Sequence, residues 1–452
     1  MPESDSSLLQ IVHFAELTRW SVHEASFREV KSRFPLVPLS QLLKRALEPI
    51  DVKDDQLYKR ITVRLYGQGV LQRDEVSGKK IGTKRQCVAH AGQLILSRID
   101  ARNGAFGIVP AELDNAIVTN DFWLFEVQDA LPQYVMLVLS SNQFQHYWQT
   151  KSTGTTNRQR ISEVLFLEAK IALPPIDRQH ELVNTYSDKQ NQAKNFARRA
   201  QSITTAIDAY LLQELGIKKI QSASDDSLIK FIHFATLSQW GVDKNINSFP
   251  YRFEKFKAFS FADKPSWVRL FLRGKSPRYN SNSSLVILNQ KCNRKDLIDI
   301  SFAKAVDPAW LSKLDKKNLT QEHDILINST GEGTLGRASL VTKQFKGLAY
   351  DSHMLLLRVN TAEVDARLIV DLFNSSFGAK QVEIFKSAEA TKQTELGIEN
   401  AKRFLFPLPC LPEQKRIADA IEQMKNDATC FFQRAKEYRL QAKSDFEKAV
   451  SQ

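Results

Sequence analysis

No apolar run in this sequence approaches the roughly 18 residues that a membrane-spanning helix needs. The first residues, Met1-Pro2-Glu3-Ser4-Asp5, are acidic and polar and do not resemble a secretory signal. The sequence contains four cysteines, and their positions show no metal-type spacing: Cys87, Cys292, Cys410 and Cys430. We therefore expect a cytoplasmic protein with reduced thiols, no membrane partner and no metal site.

Complete motifs for nucleotide binding or methyl transfer are also absent. Gly331-Glu332-Gly333 lacks the GxGxxG spacing, and Gly274-Lys275-Ser276 is a lone tripeptide outside the strand and helix of a P-loop. Asp307-Pro308-Ala309-Trp310 approaches the Asn/Asp-Pro-Pro-aromatic tetrad of adenine methyltransferases but lacks the second proline. The sequence therefore predicts no catalytic residue and no cofactor bound by the chain itself.

What the sequence does have is positive charge. The 452 residues carry 63 Lys and Arg against 51 Asp and Glu, a formal net charge of +12. One interpretation is a generally basic soluble protein. The other is a polyanionic partner, most often nucleic acid.

The chain repeats itself over about half its length. Residues 11–22 resemble residues 231–242, and within them His13 and Trp20 match His233 and Trp240 at the same spacing. A period this long exceeds that of a solenoid unit, so we interpret it as tandem duplication of a whole domain. The repeated His and Trp are more typical of packing than of catalysis.

Each repeat ends in a proline-flanked start of a long helix. The first helix is predicted from Asp177 to Leu215 and stops before Gly216. The second follows Pro409-Cys410-Leu411-Pro412. Apolar residues recur at heptad spacing in both, with Lys189 as a polar interruption in the first. The predicted seam residues are Leu182, Phe196, Ile203, Ile207, Ile417, Ile421, Met424 and Phe431.

Two apolar seams of this kind most simply bury each other. We therefore predict an α+β fold in which two tandem-repeated α/β domains are joined by two long helices. These helices would pair as an antiparallel coiled coil with approximate two-fold symmetry. The predicted boundaries are 1–172 for the first domain, 173–220 for the first helix, 221–407 for the second domain and 408–452 for the second helix.

Inside each domain the pattern predicts strands followed by a helix. Strands are predicted over 93–98, 121–127, 323–329 and 352–359 because apolar residues run or alternate there. Helices are predicted over 133–144 and 366–377, and a short one through Leu42, Leu43 and Ala46.

Polar and glycine-rich loops follow these strands and helices and are candidates for nucleic-acid contact. In the second repeat the turn after residue 329 is either a structural turn or a loop that approaches DNA, and the basic charge favours DNA. The long polar loops are either solvated or bind phosphates, with amide side chains available for adenine. The candidates are Arg98, Arg102, Asn103, Lys151, Thr155, Thr156, Asn157, Arg158 and Arg160 in the first repeat, and Thr330, Glu332, Thr334, Arg337, Lys386, Lys392 and Gln393 in the second.

Two blocks carry a resemblance to a known family. They are Asp324-Ile-Leu-Ile-Asn-Ser-Thr-Gly-Glu-Gly-Thr-Leu-Gly336 and the Pro-Leu-Pro-Cys-Leu-Pro-Glu-Gln block that ends at Gln414. Looser versions occur in the first repeat, at Ser97-Arg98-Ile99-Asp100 and Asp177-Arg178-Gln179. In their duplicated order these blocks resemble the specificity subunits of type I restriction-modification systems.

The resemblance implies a non-catalytic subunit with two target-recognition domains. Each domain would read half of a bipartite sequence in double-stranded DNA, and the helices would set the gap between the halves. It also implies assembly with two methyltransferase subunits and, for cleavage, with restriction subunits. S-adenosylmethionine, ATP and Mg²⁺ would be bound only by those partners.

Two other classes of function stay open. One is a coiled-coil scaffold with protein-binding globular ends, and the other is a stand-alone DNA methyltransferase or nuclease. Salt-sensitive DNA binding would separate the DNA-reading subunit from the scaffold, because phosphate contacts release counterions. Binding of S-adenosylmethionine by the isolated chain would favour the enzyme.

Overall fold

The computed structural model describes residues 32–65, 69–99, 104–142, 144–145, 162–220, 249–388 and 394–451. These residues form an α+β structure that divides into two compact units. Unit 1 consists of the described residues up to Ala197 and those from Gln433 onward, and unit 2 consists of those from Arg198 to Phe432. Each of the two long helices therefore contributes one segment to each unit.

The strands of unit 1 are β1 (Leu36–Pro38), β2 (Leu43–Arg45), β3 (Pro49–Asp51), β4 (Leu57–Val63), β5 (Val70–Ser77), β6 (Arg85–Ala89), β7 (Leu94–Ser97), β8 (Phe106–Ile108), β9 (Ala116–Val118), β10 (Phe122–Val127) and β11 (Lys170–Ala172). The strands of unit 2 are β12 (Ile217–Lys219), β13 (Tyr251–Phe253), β14 (Phe259–Ser260), β15 (Val268–Arg273), β16 (Val286–Leu288), β17 (Lys304–Ala305), β18 (Ile325–Asn328), β19 (Ala338–Leu340), β20 (Ala349–Tyr350), β21 (Met354–Val359), β22 (Ser387–Ala388), β23 (Thr394–Glu395) and β24 (Leu405–Phe406).

The α-helices are α1 (Leu39–Leu42), α2 (Pro132–Leu139), α3 (Glu163–Glu168), α4 (Ile176–Glu214), α5 (Pro308–Leu311), α6 (Ala366–Asn374), α7 (Ser376–Phe385), α8 (Ile398–Ala401) and α9 (Leu411–Ser451). The first long helix, α4, begins and ends one residue before the helix predicted from Asp177 to Leu215, and α9 begins inside the proline block predicted to precede it.

The two units contain the same central sheet. In unit 1 it has the strand order β2-β10-β7-β8, and in unit 2 the order β15-β21-β18-β19. The pairing is antiparallel in both, with Phe125 opposite Leu94 in unit 1 and Leu357 opposite Ile325 in unit 2. These four side chains are fully buried, which explains why the strands read as apolar runs.

Around this sheet the units differ. Unit 1 adds a five-stranded sheet with the order β3-β6-β9-β4-β5, whereas unit 2 adds a three-stranded sheet with the order β17-β16-β20. Each unit also has a short antiparallel pair that includes the last strand before its long helix begins: β1 pairs with β11, and β14 pairs with β24. The duplicated part is therefore the central sheet, its helices and the strand that leads into the long helix.

The helix segments of unit 1 run antiparallel. Tyr186 of α4 packs on Phe446 of α9 with ring centroids 6.2 Å apart, and Phe196 packs on Tyr438 at 5.4 Å. The residue numbers rise along one helix while they fall along the other, which fixes the direction. Lys189, the polar interruption in the predicted seam, forms an ion pair with Asp445 of the facing helix.

The helix segments of unit 2 pack against the core of that unit. Ile417 and Ile421 of α9 are fully buried and belong to one cluster with Leu211 of α4. At the edge, Arg416 of α9 pairs with Glu214 of α4. Of the other predicted seam residues, Leu182 is buried in unit 1, and these are half-buried: Phe196, Ile203, Ile207, Met424 and Phe431.

Three shorter helices depart from the predictions. The helix expected through Leu42, Leu43 and Ala46 ends at Leu42, because the next three residues pair with β10. The helix expected over 133–144 is interrupted after Leu139, where the Ser140 hydroxyl donates to Met136 O, and helical residues follow again from Asn142.

The prediction of a single helix over 366–377 was also wrong in the extent of the helix. It breaks at Ser375, which has an extended backbone and caps α7 through its hydroxyl. The predicted helix is therefore two helices, α6 and α7.

Candidate nucleic-acid interface

The glycine loop between β18 and β19 of unit 2 is the best-defined candidate. Gly331, Gly333 and Gly336 all have positive φ, at +110°, +69° and +76°, a region that favours glycine. A Cβ on Gly336 would lie 2.2 Å from Val382 of α7, whereas one on Gly333 would meet nothing within 4 Å. The loop therefore needs glycine for its turns and, at Gly336, for close packing.

Hydrogen bonds inside the loop hold its shape. The Thr330 hydroxyl donates to Gln290 Oε1 at 2.8 Å, and His353 Nδ1 lies 2.9 Å from the Thr330 hydroxyl oxygen. Arg337 Nη2 donates to Gly333 O at 3.0 Å, and the Thr334 hydroxyl donates to Gly331 O at 3.3 Å. Of the four predicted loop residues, Glu332 is the exposed one, so Thr330, Thr334 and Arg337 also support the loop.

The second predicted loop of unit 2 starts from the hairpin of β22 and β23. This hairpin is anchored at the end of β18, because Leu396 N donates to Ser329 O at 2.9 Å and the Ser329 hydroxyl donates to Leu396 O at 3.2 Å. A further bridge joins Thr330 to Glu395. The structure thus places the bases of two loops side by side although Ser329 and Leu396 are 67 residues apart in the sequence.

Lys386 is exposed immediately before this hairpin. Lys392 and Gln393, the other two candidates in this loop, lie outside the described residues.

Arg273, at the end of β15, joins these loops to a groove that the sequence analysis missed. Arg273 Nε donates to Ser352 O at 2.8 Å, and Nη1 pairs with Glu395. The next residue, Gly274, explains the isolated Gly-Lys-Ser tripeptide: a Cβ there would lie 2.0 Å from Asp351 O. The glycine permits a close backbone crossing and is unrelated to phosphate binding.

The carboxylate of Asp351 is buried beneath this turn. Its Oδ1 accepts a hydrogen bond from His353 N at 3.0 Å. Burial raises the pKa of Asp351, and the hydrogen bond from His353 opposes this. Asp351 thus supports the turn that carries Ser352 and His353 between the groove and the glycine loop.

The groove itself is open to solvent and encloses about 770 Å³. Its walls bring together four cations, one half-buried indole and the carboxylate of Asp315, which pairs with Lys317 at 3.1 Å. The lining residues include Arg273, Lys275, Ser276, Trp310, Lys313, Lys317 and Asn318. Positive charge beside an aromatic face is typical of surfaces that hold nucleic-acid strands. The cluster of lysines at 313–317 was the local signal that could have indicated it.

Unit 1 has a different cationic feature at the matching strand end. The guanidinium of Arg98 lies 5.5 Å from the Trp123 ring centroid, and that of Arg45 lies 5.2 Å from the Phe125 ring. Burial lowers the pKa of Arg45, and Glu163 opposes this at 3.5 Å. Arg98 Nε is buried without a hydrogen-bond partner among the described residues.

The other candidates of the first repeat and the repeated His and Trp lie outside the described residues. These are Arg102, Asn103, Lys151, Thr155, Thr156, Asn157, Arg158, Arg160, His13, Trp20, His233 and Trp240.

Two searches of the described residues bear on other functions. Among them, no group of three or more His, Cys, Asp and Glu side chains is placed to hold a metal ion. In the same part of the chain, no helix combines the length and the apolar content required to cross a membrane.

Comparison with known proteins places this interface in a family. Residues 287–434 match the model of the type I restriction modification DNA specificity domain. These residues include the glycine loop, the hairpin and half of the groove. No curated protein sequence matches the chain.

Three solved structures align with most of this chain. One, from a study of complex assembly and conformational transition of the type I R-M system, has a TM-score of 0.56 at 12% identity, over 92% of this chain and 96% of that one. The HsdS subunit from Thermoanaerobacter tengcongensis has a TM-score of 0.44 at 12% identity, with coverage of 92% and 96%. The S subunit from M. genitalium has a TM-score of 0.46 at 11% identity, with coverage of 93% and 96%.

At these identities the first of the three similarities concerns the fold alone. Both sequence blocks that carry the resemblance, residues 324–336 and 407–414, lie within the residues that match the family model. The resemblance drawn from the sequence is therefore confirmed. Residues 287–434 of this chain therefore form a type I restriction modification DNA specificity domain.

Proposed function

We propose that this chain selects the DNA target of a type I restriction-modification complex by reading two half-sites. Unit 2 would read one half through the glycine loop, the hairpin loop and the adjoining groove. Unit 1 would read the other half through the loops that follow Arg98 and α2. The family match on residues 287–434, which covers the glycine loop and the hairpin, carries the proposal.

The chemistry of unit 2 supports separate roles for the groove and the loop. Lys275 and Lys313 are exposed cations on the groove walls, and such ammonium groups suit phosphates. Glu332 is exposed on the glycine loop and carries a carboxylate that can accept from cytosine N4. We assign backbone contact to the groove and base contact to the loop.

The long helices would set the distance between the half-sites and dock two methyltransferase subunits. Their seams are occupied within each unit, so docking would use the outer faces. Leu440 and Phe432 of α9 are exposed there, at 60% and 46%, and unpaired apolar residues of this kind suit a partner helix. S-adenosylmethionine, ATP and Mg²⁺ would be held by the methyltransferase and restriction subunits, so this chain would act without a catalytic residue.

A methylation map tests this function directly. The chain is expressed with the methyltransferase subunit encoded beside it, in a host without adenine methylation, and the genome is sequenced for modified adenines. We expect a split motif with a constant gap that appears only when this chain is present. A soluble complex that methylates no motif and has no DNA affinity would instead favour the protein-binding scaffold.

The two halves of the proposal can be separated in the same assay. Replacing Glu332 by Gln should change one half of the motif and leave the other half and the gap unchanged. A change in both halves, or in neither, would contradict the assignment of base contact to this loop.

A further inference from the structure

The contact between Arg273 and Glu395 joins the groove to the hairpin loop. Arg273 lies on the groove wall, and 42% of its side chain is exposed. Glu395 is at the base of the hairpin and only 19% exposed. The Ser329 hydroxyl also approaches Glu395 Oε1, at 3.5 Å. The carboxylate is therefore fixed by the hairpin and the end of β18, while the guanidinium faces the groove.

A carboxylate and a DNA phosphate make the same kind of contact with arginine. Both accept hydrogen bonds from the planar guanidinium fork. Arg273 Nε donates to Ser352 O, and Nη1 pairs with the Glu395 carboxylate. The Arg273–Glu395 ion pair therefore presents little net charge to the groove. A DNA strand in the groove would gain the full attraction of the Arg273 guanidinium only after the ion pair between Arg273 and Glu395 breaks.

We propose that Glu395 is a specificity-determining residue, because its carboxylate binds Arg273 where a DNA phosphate would otherwise bind. This inference rests on the proposed function, because it requires DNA to occupy the groove of unit 2. DNA of the wrong sequence would meet a neutral Arg273–Glu395 pair and bind weakly. A target that seats both loops would shift the base of the hairpin and transfer Arg273 to a phosphate.

Binding of random-sequence DNA by the full chain tests this role. A fluorescein-labelled duplex is titrated over a series of salt concentrations with wild type and with Glu395→Gln. One additional phosphate contact should steepen the slope of log K against log salt by about 0.9, and tighten binding roughly five- to tenfold near 0.1 M salt. Glu395→Ala should behave similarly, and Glu395→Asp should restore the weak binding of wild type.

Two further variants separate this effect from a general change in charge. Glu383→Gln also removes one carboxylate and releases a lysine, since Glu383 pairs with Lys380 at 3.0 Å. It should leave the slope unchanged, because this pair is outside the groove. In an Arg273→Ala background, Glu395→Gln should no longer steepen the slope.

The possible outcomes are distinct. If wild type binds DNA and Glu395→Gln has the same slope, Glu395 is only an anchor of the hairpin and the inference is wrong. Weaker binding of every duplex by Glu395→Gln would also refute it. If wild type binds no DNA, either alone or with its methyltransferase subunit, the proposed function fails first, and the inference fails with it.

Discussion

Gln179 and Gln414 make the same hydrogen bonds at the start of the two long helices. Gln179 Oε1 accepts from Leu131 N and its Nε2 donates to Pro174 O, both at 2.9 Å. Gln414 Oε1 accepts from Asp365 N and its Nε2 donates to Pro409 O, again at 2.9 Å. Both amides are buried, and each ties its long helix to the first residues of the helix that follows the central sheet.

This relationship gives a physical reason for the glutamine in both sequence blocks. Gln414 Nε2 donates also to Glu363 O, at 3.1 Å. An amide with one acceptor and two donors satisfies three backbone groups at once. A glutamate could not donate, and an apolar side chain could do neither. The glutamine therefore stabilises the junction between sheet and helix.

Gln414→Ala is expected to destabilise unit 2 strongly. The substitution leaves Asp365 N and two carbonyls buried without partners and opens a cavity, which together should cost about 2–4 kcal/mol. Thermal unfolding of the full chain measures the loss. Gln423→Ala is the matched control, because Gln423 is exposed on the same helix and donates to Asp427 at the surface. Equal effects of the two substitutions would contradict this account.

The ion pair between Lys189 and Asp445 leads to a second prediction. These side chains are 25% and 41% exposed in a seam that is otherwise apolar or aromatic. Replacing a partly buried ion pair by well-packed apolar residues is often neutral or stabilising. Lys189→Met combined with Asp445→Leu should therefore stabilise the helix pair of unit 1 by about 1–2 kcal/mol.

Thermal unfolding again provides the measurement. The exchange Lys189→Asp with Asp445→Lys is the control, and we expect it to remain within about 0.5 kcal/mol of wild type. A lower melting temperature for the apolar double variant would show that the ion pair stabilises the seam and would refute the prediction.

Local patterns were enough to predict the long helices and the two inner strands of each central sheet, β7 and β10 in unit 1 and β18 and β21 in unit 2. The helices have proline-flanked starts and heptad spacing, and β18 and β21 are apolar runs that stay buried in the sheet. The break at Ser375 was missed because a serine cap inside an apolar pattern resembles a continuing helix. At Leu43, pairing with β10 overrides the local helical pattern.

The site was harder to predict, because its parts are distant in the sequence. Arg273 contacts Ser352, 79 residues away, and Glu395, 122 residues away. No local pattern indicates such a pairing. The glycine loop could be found because positive φ requires glycine at several nearby positions, a requirement that is visible in sequence.

The glycines of that loop give a third prediction. Gly336→Ala should cost about 2–4 kcal/mol, since the methyl group would meet Val382 at 2.2 Å in addition to a strained φ of +76°. Gly333→Ala should cost only about 1–2 kcal/mol, because its φ of +69° is strained but the space is open.

DNA binding should separate these two variants in a second way. If DNA approaches the loop at Gly333, the added methyl group should weaken DNA binding beyond the loss of stability. Unchanged DNA affinity for a folded Gly333→Ala protein would show that the glycine serves the turn alone.

The last prediction concerns pH and a buried carboxylate in unit 2. Burial raises the pKa of Asp371 from its ordinary value of 3.8 to about 6, while the contact with Lys425 opposes the shift. Between these values the folded state binds more protons than the unfolded state. The free energy of unfolding therefore falls as the pH rises through this window.

Asp371→Asn removes this dependence, and Lys425 keeps Asp296 as a partner at 2.8 Å. We expect the stability of the variant relative to wild type to increase as the pH is raised from about 4 to about 6, and to level off above. Urea unfolding at a series of pH values measures the difference. Carboxylates whose pKa is lowered, such as Asp263 and Asp315, change the stability of both proteins equally with pH. Their contributions therefore cancel in the difference between the variant and wild type. A difference that decreases with pH would mean that attraction to Lys425 outweighs burial, so that the folded state holds Asp371 ionised.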